Sequence, residues 1–146
     1  MAKTPAWQSF TEMEKAYFAG FFDGEGCISI ARQKKTWGAK DQPHFHRLRI
    51  NLSQKDPAVL RQLYDMIGGT LSATNGVWKW FADDAFAVEF LMQIRPYLRI
   101  KAVQADIAIE FAKTKKRGNG SLTAEVFSLR EHYCNAIRAE KDRQYA

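Results

Sequence analysis

Ten residues near the N-terminus, Tyr17-Phe18-Ala19-Gly20-Phe21-Phe22-Asp23-Gly24-Glu25-Gly26, constrain this chain more than any other stretch. Thr11 and Glu14 have the spacing of a capping box, which predicts a helix starting near Glu12. From Tyr17 to Phe22 every position is apolar or small, so this helix has no wet face and calls for cover on more than one side. Gly20 and Gly24 are four residues apart and fall on one helical face, with Ala19 beside them. A glycine inside a helix costs about 0.5–1 kcal/mol relative to alanine, and what it offers in return is close approach of another backbone. A buried helix ending at a glycine accounts for the apolar run. It does not account for Asp23 and Glu25, two carboxylates set between glycines in what reads as a turn just past the helix end.

The nine residues Phe18 to Gly26 resemble the signature of the LAGLIDADG homing endonucleases. Ala19, Gly20, Asp23 and Gly26 match it directly, and Glu25 takes the place of its second aspartate. The rest of the chain is a test of that resemblance.

At 146 residues the chain is long enough for one domain with a proper core, here expected over 11–146 behind an N-terminal arm of residues 1–10. A net charge of +6 and a pI near 9.4 point to a polyanionic partner, nucleic acid before membrane. No apolar run approaches the ~20 residues of a membrane span, and the N-terminus has no apolar signal-peptide core. Cys27 and Cys134 are too few for a disulfide framework, so the expected setting is a reducing, intracellular one with access to DNA.

In the arm, Pro5, Trp7 and Phe10 can pack on the body. After the first helix, Cys27 to Lys35 reads as a strand, and Thr36 to Pro43 as a loop. His44 to Gln54 is the clearest strand. Leu48, Ile50 and Leu52 fall on one face, and Arg47, Arg49, Asn51 and Ser53 on the other. A sheet with one dry face and one basic, amide- and hydroxyl-rich face suits contact with DNA bases and phosphates. Asp56-Pro57 opens a helix that Gly68-Gly69 stops. Thr70 to Thr74 and Val77 to Ala82 form a hairpin about Asn75-Gly76. Its alternation buries Trp78 and Trp80 and turns Lys79 toward DNA. Asp83-Asp84 caps a third helix reaching about Ile94, with Phe86, Phe90, Leu91 and Ile94 inward. Arg95-Pro96 breaks it. Another helix, Lys101 to Lys113, has Val103, Ile107 and Phe111 on its apolar side. Lys113 to Ser121 is a basic loop, and a last helix begins near Thr123. His44 and His46 read as strand-rim or core residues, and no Cys/His set has zinc-finger spacing.

The order α, hairpin, α, hairpin, then three helices is similar to the αββαββα plan of the LAGLIDADG fold. The resemblance therefore implies an α+β domain whose antiparallel sheet forms a concave saddle on DNA. It also implies a homodimer of the small one-motif type, packed through Ala19, Gly20 and Gly24. Glu25 and the Gly24 carbonyl then match metal ligands, with Mg²⁺ as the expected cofactor, and Asp23 matches a more structural acid. Gln54 and Lys101 match the remaining catalytic positions with Glu25. A basic residue expected about four positions after Gln54 is replaced by Ala58, with Arg61 a turn further on. The expected DNA-facing set is Ser29, Gln33, Lys35, Arg47, Arg49, Asn51, Ser53, Ser72, Thr74 and Lys79. The implied activity is double-strand cleavage of a long, pseudo-palindromic DNA site. An intron RNA maturase and a cleavage-deficient DNA-binding regulator are the alternatives on the same fold.

Overall fold

The computed structural model describes residues 7–35, 42–114 and 122–144. The Thr36–Asp41 part of the first loop, Pro5, and the Lys115–Ser121 part of the basic loop lie outside the described residues.

Helix α1 spans Glu12–Glu25, and its start is the expected capping box: the Thr11 hydroxyl accepts from the Glu14 amide and the Glu14 carboxylate accepts from the Thr11 amide. Strands β1 (Gly26–Lys34) and β2 (His44–Gln54) pair antiparallel, with Gly26 opposite Leu52 and Lys34 opposite His44. Helix α2 (Ala58–Ile67) follows, its first turn capped by Asp56 Oδ1, which accepts from the Ala58 amide. Gly68 and Gly69 end it with φ of +95° and +87°. Strands β3 (Thr70–Thr74) and β4 (Val77–Asp83) meet at Asn75-Gly76, both with positive φ, as a two-residue turn that follows strand twist requires. Helix α3 (Asp84–Ile94), a 3₁₀ turn (Arg95–Tyr97), helix α4 (Ala102–Ala112) and helix α5 (Ala124–Gln144) complete the order. The sheet runs β1-β2-β4-β3, so both hairpins lie flat with β2 and β4 central.

Alternation decides which face is dry. Ile28, Ile30, Leu48, Ile50, Leu52, Trp80 and Ala82 all point into the helical layer and are buried. Phe18 and Phe22 of α1 and Phe90, Leu91 and Ile94 of α3 meet them there. Burying one such side chain fully is worth roughly 1.5–3 kcal/mol. Trp80 anchors the centre, stacking edge-on against Phe90 with its indole N–H donating to the Gly68 carbonyl at 2.8 Å. Trp78 is half-buried beside it and Lys79 is exposed, as the alternation implies. Phe10 belongs to the core, and Trp7 packs edge-on against Phe86.

Three expectations are corrected. Asp23 and Glu25 are not in a turn past α1; they are its last turn, because Gly26 takes the C-cap. Helix α3 has no side-chain cap: the Asp83 carboxylate is taken by Arg49 and Asp84 accepts from the Leu48 amide. Of the expected apolar side of α4, Phe111 is buried and Ile107 packs partly buried on the core, but Val103 is exposed and Gln104, Ala105 and Ala108 complete the inward stripe. Ala105 and Ala108 lie where α4 packs against α3 and α5, while Gln104 and Phe111 fill the buried positions on either side of them.

At the Lys34–His44 end of the sheet, Glu131 of α5 gathers three cations or near-cations. Arg32 donates twice, Nε at 3.0 Å and Nη2 at 2.9 Å to Oε2, while His46 Nε2 lies 2.7 Å from Oε1 and His44 also bonds that oxygen. Burial pushes His46 below its ordinary value, while Arg32 above all holds the Glu131 carboxyl down to about 2. The three ligand-type atoms of His44, His46 and Glu131 lie within 4.8 Å of one another. Arg32 and the two histidines all engage this one carboxylate, so the cluster acts as a clasp that pins α5 to the sheet. A carboxyl whose folded value lies below its unfolded one contributes stability above the unfolded value and loses it as pH falls toward the folded one. Glu131→Gln should therefore cost about 2 kcal/mol at pH 7, and the gap from wild type should narrow between pH 4.5 and 2, measured by urea unfolding at fixed protein concentration.

Candidate functional site

The C-terminal end of α1 is assembled from four parts of the chain. Asp23 is turned inward and accepts from the backbone amides of Arg99 and Lys101, each at 2.9 Å. Lys101 is only 6% exposed, and its ammonium donates to the Asp23 carbonyl at 2.6 Å. That carbonyl is one of the last four of a helix, which lack intrahelical partners, so the lysine satisfies it and fixes the turn before α4. Burial lowers the Lys101 ammonium below its ordinary value, and nearby Lys141 adds to this, while Asp23, Cys27 and Glu25 oppose it.

Glu25 is exposed, and no hydrogen bond or ion pair among the described residues engages its carboxylate. The Gly24 carbonyl belongs to the same unsatisfied last turn. Gln54 ends β2. Because Gly26 pairs with Leu52, β2 runs past the start of β1 and carries Gln54 to the same end of the sheet as Glu25. Its Oε1 accepts from the Lys55 amide at 3.0 Å. Glu25, Gly24, Asp23, Lys101 and Gln54 thus share one end of the fold. Arg61 does not join them with a free head group: it lies over the Trp78 ring, 5.1 Å from its centroid.

The three motif glycines differ in what surrounds them. A Cβ on Gly26 would lie 2.4 Å from the buried Phe22 ring, so the ring itself demands glycine. A Cβ on Gly20 or Gly24 would meet nothing within 4 Å. Nothing among the described residues explains why those two positions are glycine. Tyr17 shares that outward side and is 55% exposed. Ala19 requires a correction: it is wholly buried in the core of its own chain and has no surface to offer a second helix.

On the open face of the sheet, Ser53, Lys79 and Ser72 form a cross-strand row, and Ser29 stands opposite Arg49. Gln33, Lys35, Arg47, Asn51 and Thr74 fall on the same side by alternation. The two arginines are not equivalent. Arg49 is held by Asp83 through bonds of 2.6 Å and 2.8 Å and lies 4.2 Å over the Phe81 ring. Arg47 only rests above Phe45, at 5.5 Å. Asp83 and Phe81 were invisible as members of this face in the sequence, where Asp83 reads as a helix cap. Alternation along β4 carries the signal that places both beside Lys79. Cys27 and Lys141, 3.5 Å apart, were likewise missed.

Comparison with known proteins follows from this geometry. The model of the LAGLIDADG endonuclease family matches residues 18–116. Solved structures share the fold at low identity. The homing endonuclease I-CvuI, in complex with the I-CreI target in 2 mM Mg with the DNA not cleaved, superposes with a TM-score of 0.77 at 19% identity, over 88% of this chain and 82% of that one. The homing endonuclease I-TnaI gives 0.67 at 16%, over 92% and 99%. I-SmaMI bound to cleaved DNA gives 0.62 at 16%, over 94% of this chain and 46% of that one. No curated protein matches significantly. No helix among the described residues is long and apolar enough to cross a membrane.

Gly26→Ala should destabilise the folded chain by about 1–3 kcal/mol through overpacking against Phe22, read as a lower denaturation midpoint at unchanged slope.

Proposed function

We propose, from the premise that this chain belongs to the LAGLIDADG endonuclease family, that it is a homodimeric, Mg²⁺-dependent homing endonuclease whose cleavage site is completed only by a second copy. The observation that carries this reading is the outward face of α1. It presents two glycines with open space above them and, at its end, a carboxylate with no partner. A second α1 laid against Gly20 and Gly24 would use that space and bring two Glu25 side chains together. The share of chain matched supports the same stoichiometry: this chain spans nearly all of I-TnaI and about half of I-SmaMI, which leaves room there for a second unit.

The donor set fits a hard divalent cation. Glu25 and the Gly24 carbonyl offer oxygen alone, the preference of Mg²⁺, and one carboxylate per chain is too little without its twin. When bound, such ions activate water and stabilise charge on the phosphate and leaving oxygen. Asp23 keeps the two ligands in place by holding the helix end against the Arg99–Lys101 backbone. Lys101, held with its ammonium on the Asp23 carbonyl, supplies a fixed positive charge behind these ligands, and Gln54 orients the attacking water through its amide.

Affinity would come from the open sheet face. Arg47 and Lys79 are available to phosphates or base edges, while Ser53, Ser72, Asn51, Ser29, Gln33 and Thr74 offer hydrogen bonds to base edges. Arg49, already paired with Asp83, is the better placed for fixed, directional contact. The target would be a long pseudo-palindrome mirroring the protein dyad, and its cleavage would promote copying of the element that carries the gene.

Duplex DNA carrying the uninterrupted insertion site of the host gene should be cut on both strands with Mg²⁺ and left intact with EDTA. Glu25→Gln should slow the cut by about a thousandfold or more while DNA affinity stays within a few-fold. Tight binding with no cut under any divalent metal would overturn the nuclease reading in favour of a regulator, and tighter binding of the intron RNA would favour a maturase.

A further inference from the structure

Helix α5 lies beyond the residues that the family model matches, yet its last turn docks on the cleavage end of the fold. The Gln144 amide donates to the Ile100 carbonyl at 2.5 Å and accepts from the Gln104 amide at 2.6 Å. These bonds clamp α5 onto the same short turn that presents Lys101. Lys141 sits one turn before Gln144 and therefore on the same side of the helix. Its ammonium lies 3.5 Å from the Cys27 sulfur, at the start of β1 and two residues from Glu25.

Lys141 is half-buried and makes no ion pair among the described residues. Its neighbour Arg143 is paired with Glu140. A thiol is a weak acceptor, so this contact leaves most of the hydrogen-bonding capacity of the Lys141 ammonium unused. A half-buried ammonium at this end of the fold, against Cys27 two residues from Glu25 and without an ion pair among the described residues, gains from an anion placed against it. The neighbouring carboxylates do not supply it: Asp23 is spent on backbone amides, and Glu25 is exposed at the outer side.

Resting on the nuclease reading, we infer that Lys141 is a second cation of the cleavage site, contacting the DNA phosphate backbone beside Lys101 and Glu25. The helix that carries it acts as a strut, and Gln144 fixes the strut against the Lys101 turn. The ligand chemistry is that of a phosphodiester: a single negative charge with two free oxygens, each able to accept from an ammonium. Lys141 then contributes to affinity through phosphate neutralisation and to rate through charge developing on the reacting phosphate.

The test compares wild type, Lys141→Met, Lys141→Arg and, as a same-helix control, Arg143→Gln, on cognate duplex with Mg²⁺. Single-turnover cleavage by Lys141→Met should fall by at least about tenfold with an unchanged melting temperature. Lys141→Arg should recover most of the rate, and Arg143→Gln should stay within about twofold. In a Glu25→Gln background, where no cleavage is needed, adding Lys141→Met should lower the slope of log affinity against log salt by about 0.9 for each subunit bound. Wild-type rate and slope in Lys141→Met would overturn the inference. So would equal losses in the Met and Arg variants accompanied by a lower melting temperature, which would mark a structural role. A wild-type protein that cuts nothing would sink the nuclease reading instead, and the salt slope would still decide whether Lys141 meets phosphate.

Discussion

The Asp23 carboxylate joins the end of α1 to a distant part of the chain, and the arrangement around it depends on that join. By accepting from the Arg99 and Lys101 amides it ties the end of α1 to the turn before α4. Lys101 completes the tie from the other side by donating to the Asp23 carbonyl. Three consequences follow from these three bonds. The last turn of α1 cannot fray, so the Gly24 carbonyl and Glu25 keep a fixed direction. Lys101 is held buried and close to the acids. The turn so fixed becomes the platform on which Gln144 anchors α5. One inward acid thus positions a second, outward one, and the division of labour between two carboxylates on one helical turn is set by which side of the helix each occupies.

The sheet plays the complementary part. Its dry face is filled by Ile, Leu and Trp side chains against α1 and α3, which makes the open face rigid. On that face, charge is already partly spent: Asp83 and Phe81 confine Arg49, whereas Arg47 lies over Phe45 and Lys79 over Phe81 with no ion pair among the described residues. Rigidity and partial neutralisation together favour directed contacts over indiscriminate attraction, although a net charge of +6 still provides the long-range pull. Toward the other side of the sheet, the Glu131 clasp holds α5, so this helix is tied down both at Glu131 and at Gln144.

Much of this was legible in the sequence because the relevant signals are local. The capping box at Thr11, the glycine stop at Gly68-Gly69, the Asn75-Gly76 turn and the alternation along β2 each depend on a few neighbouring residues, and each is found where it was expected. The motif from Phe18 to Gly26 was sufficient to point to the family. What remained hidden depends on partners distant in sequence. Nothing near Ala19 indicates that its own chain buries it, since helix periodicity cannot distinguish an internal neighbour from a second copy. Asp83 looks like a cap until β2 brings Arg49 opposite it. In α4, Val103 is as apolar as Ala105 and Ala108, and only the packing of α3 and α5 shows which of them lies inward. Lys141 lies more than a hundred residues from Glu25 in the chain, and only the docking of α5 brings the two to one end.

The central claim is that one chain holds half a cleavage site. It is tested most directly by co-refolding wild type with Glu25→Gln in known ratios at constant total protein and measuring double-strand cleavage of the cognate duplex. If both copies must supply the acid, activity falls as the square of the wild-type fraction, to about a quarter at an equal mixture, with nicked product appearing in its place. A straight-line fall, with half the activity left at the equal mixture and no nicking, would mean that each chain cuts alone, and would contradict the account.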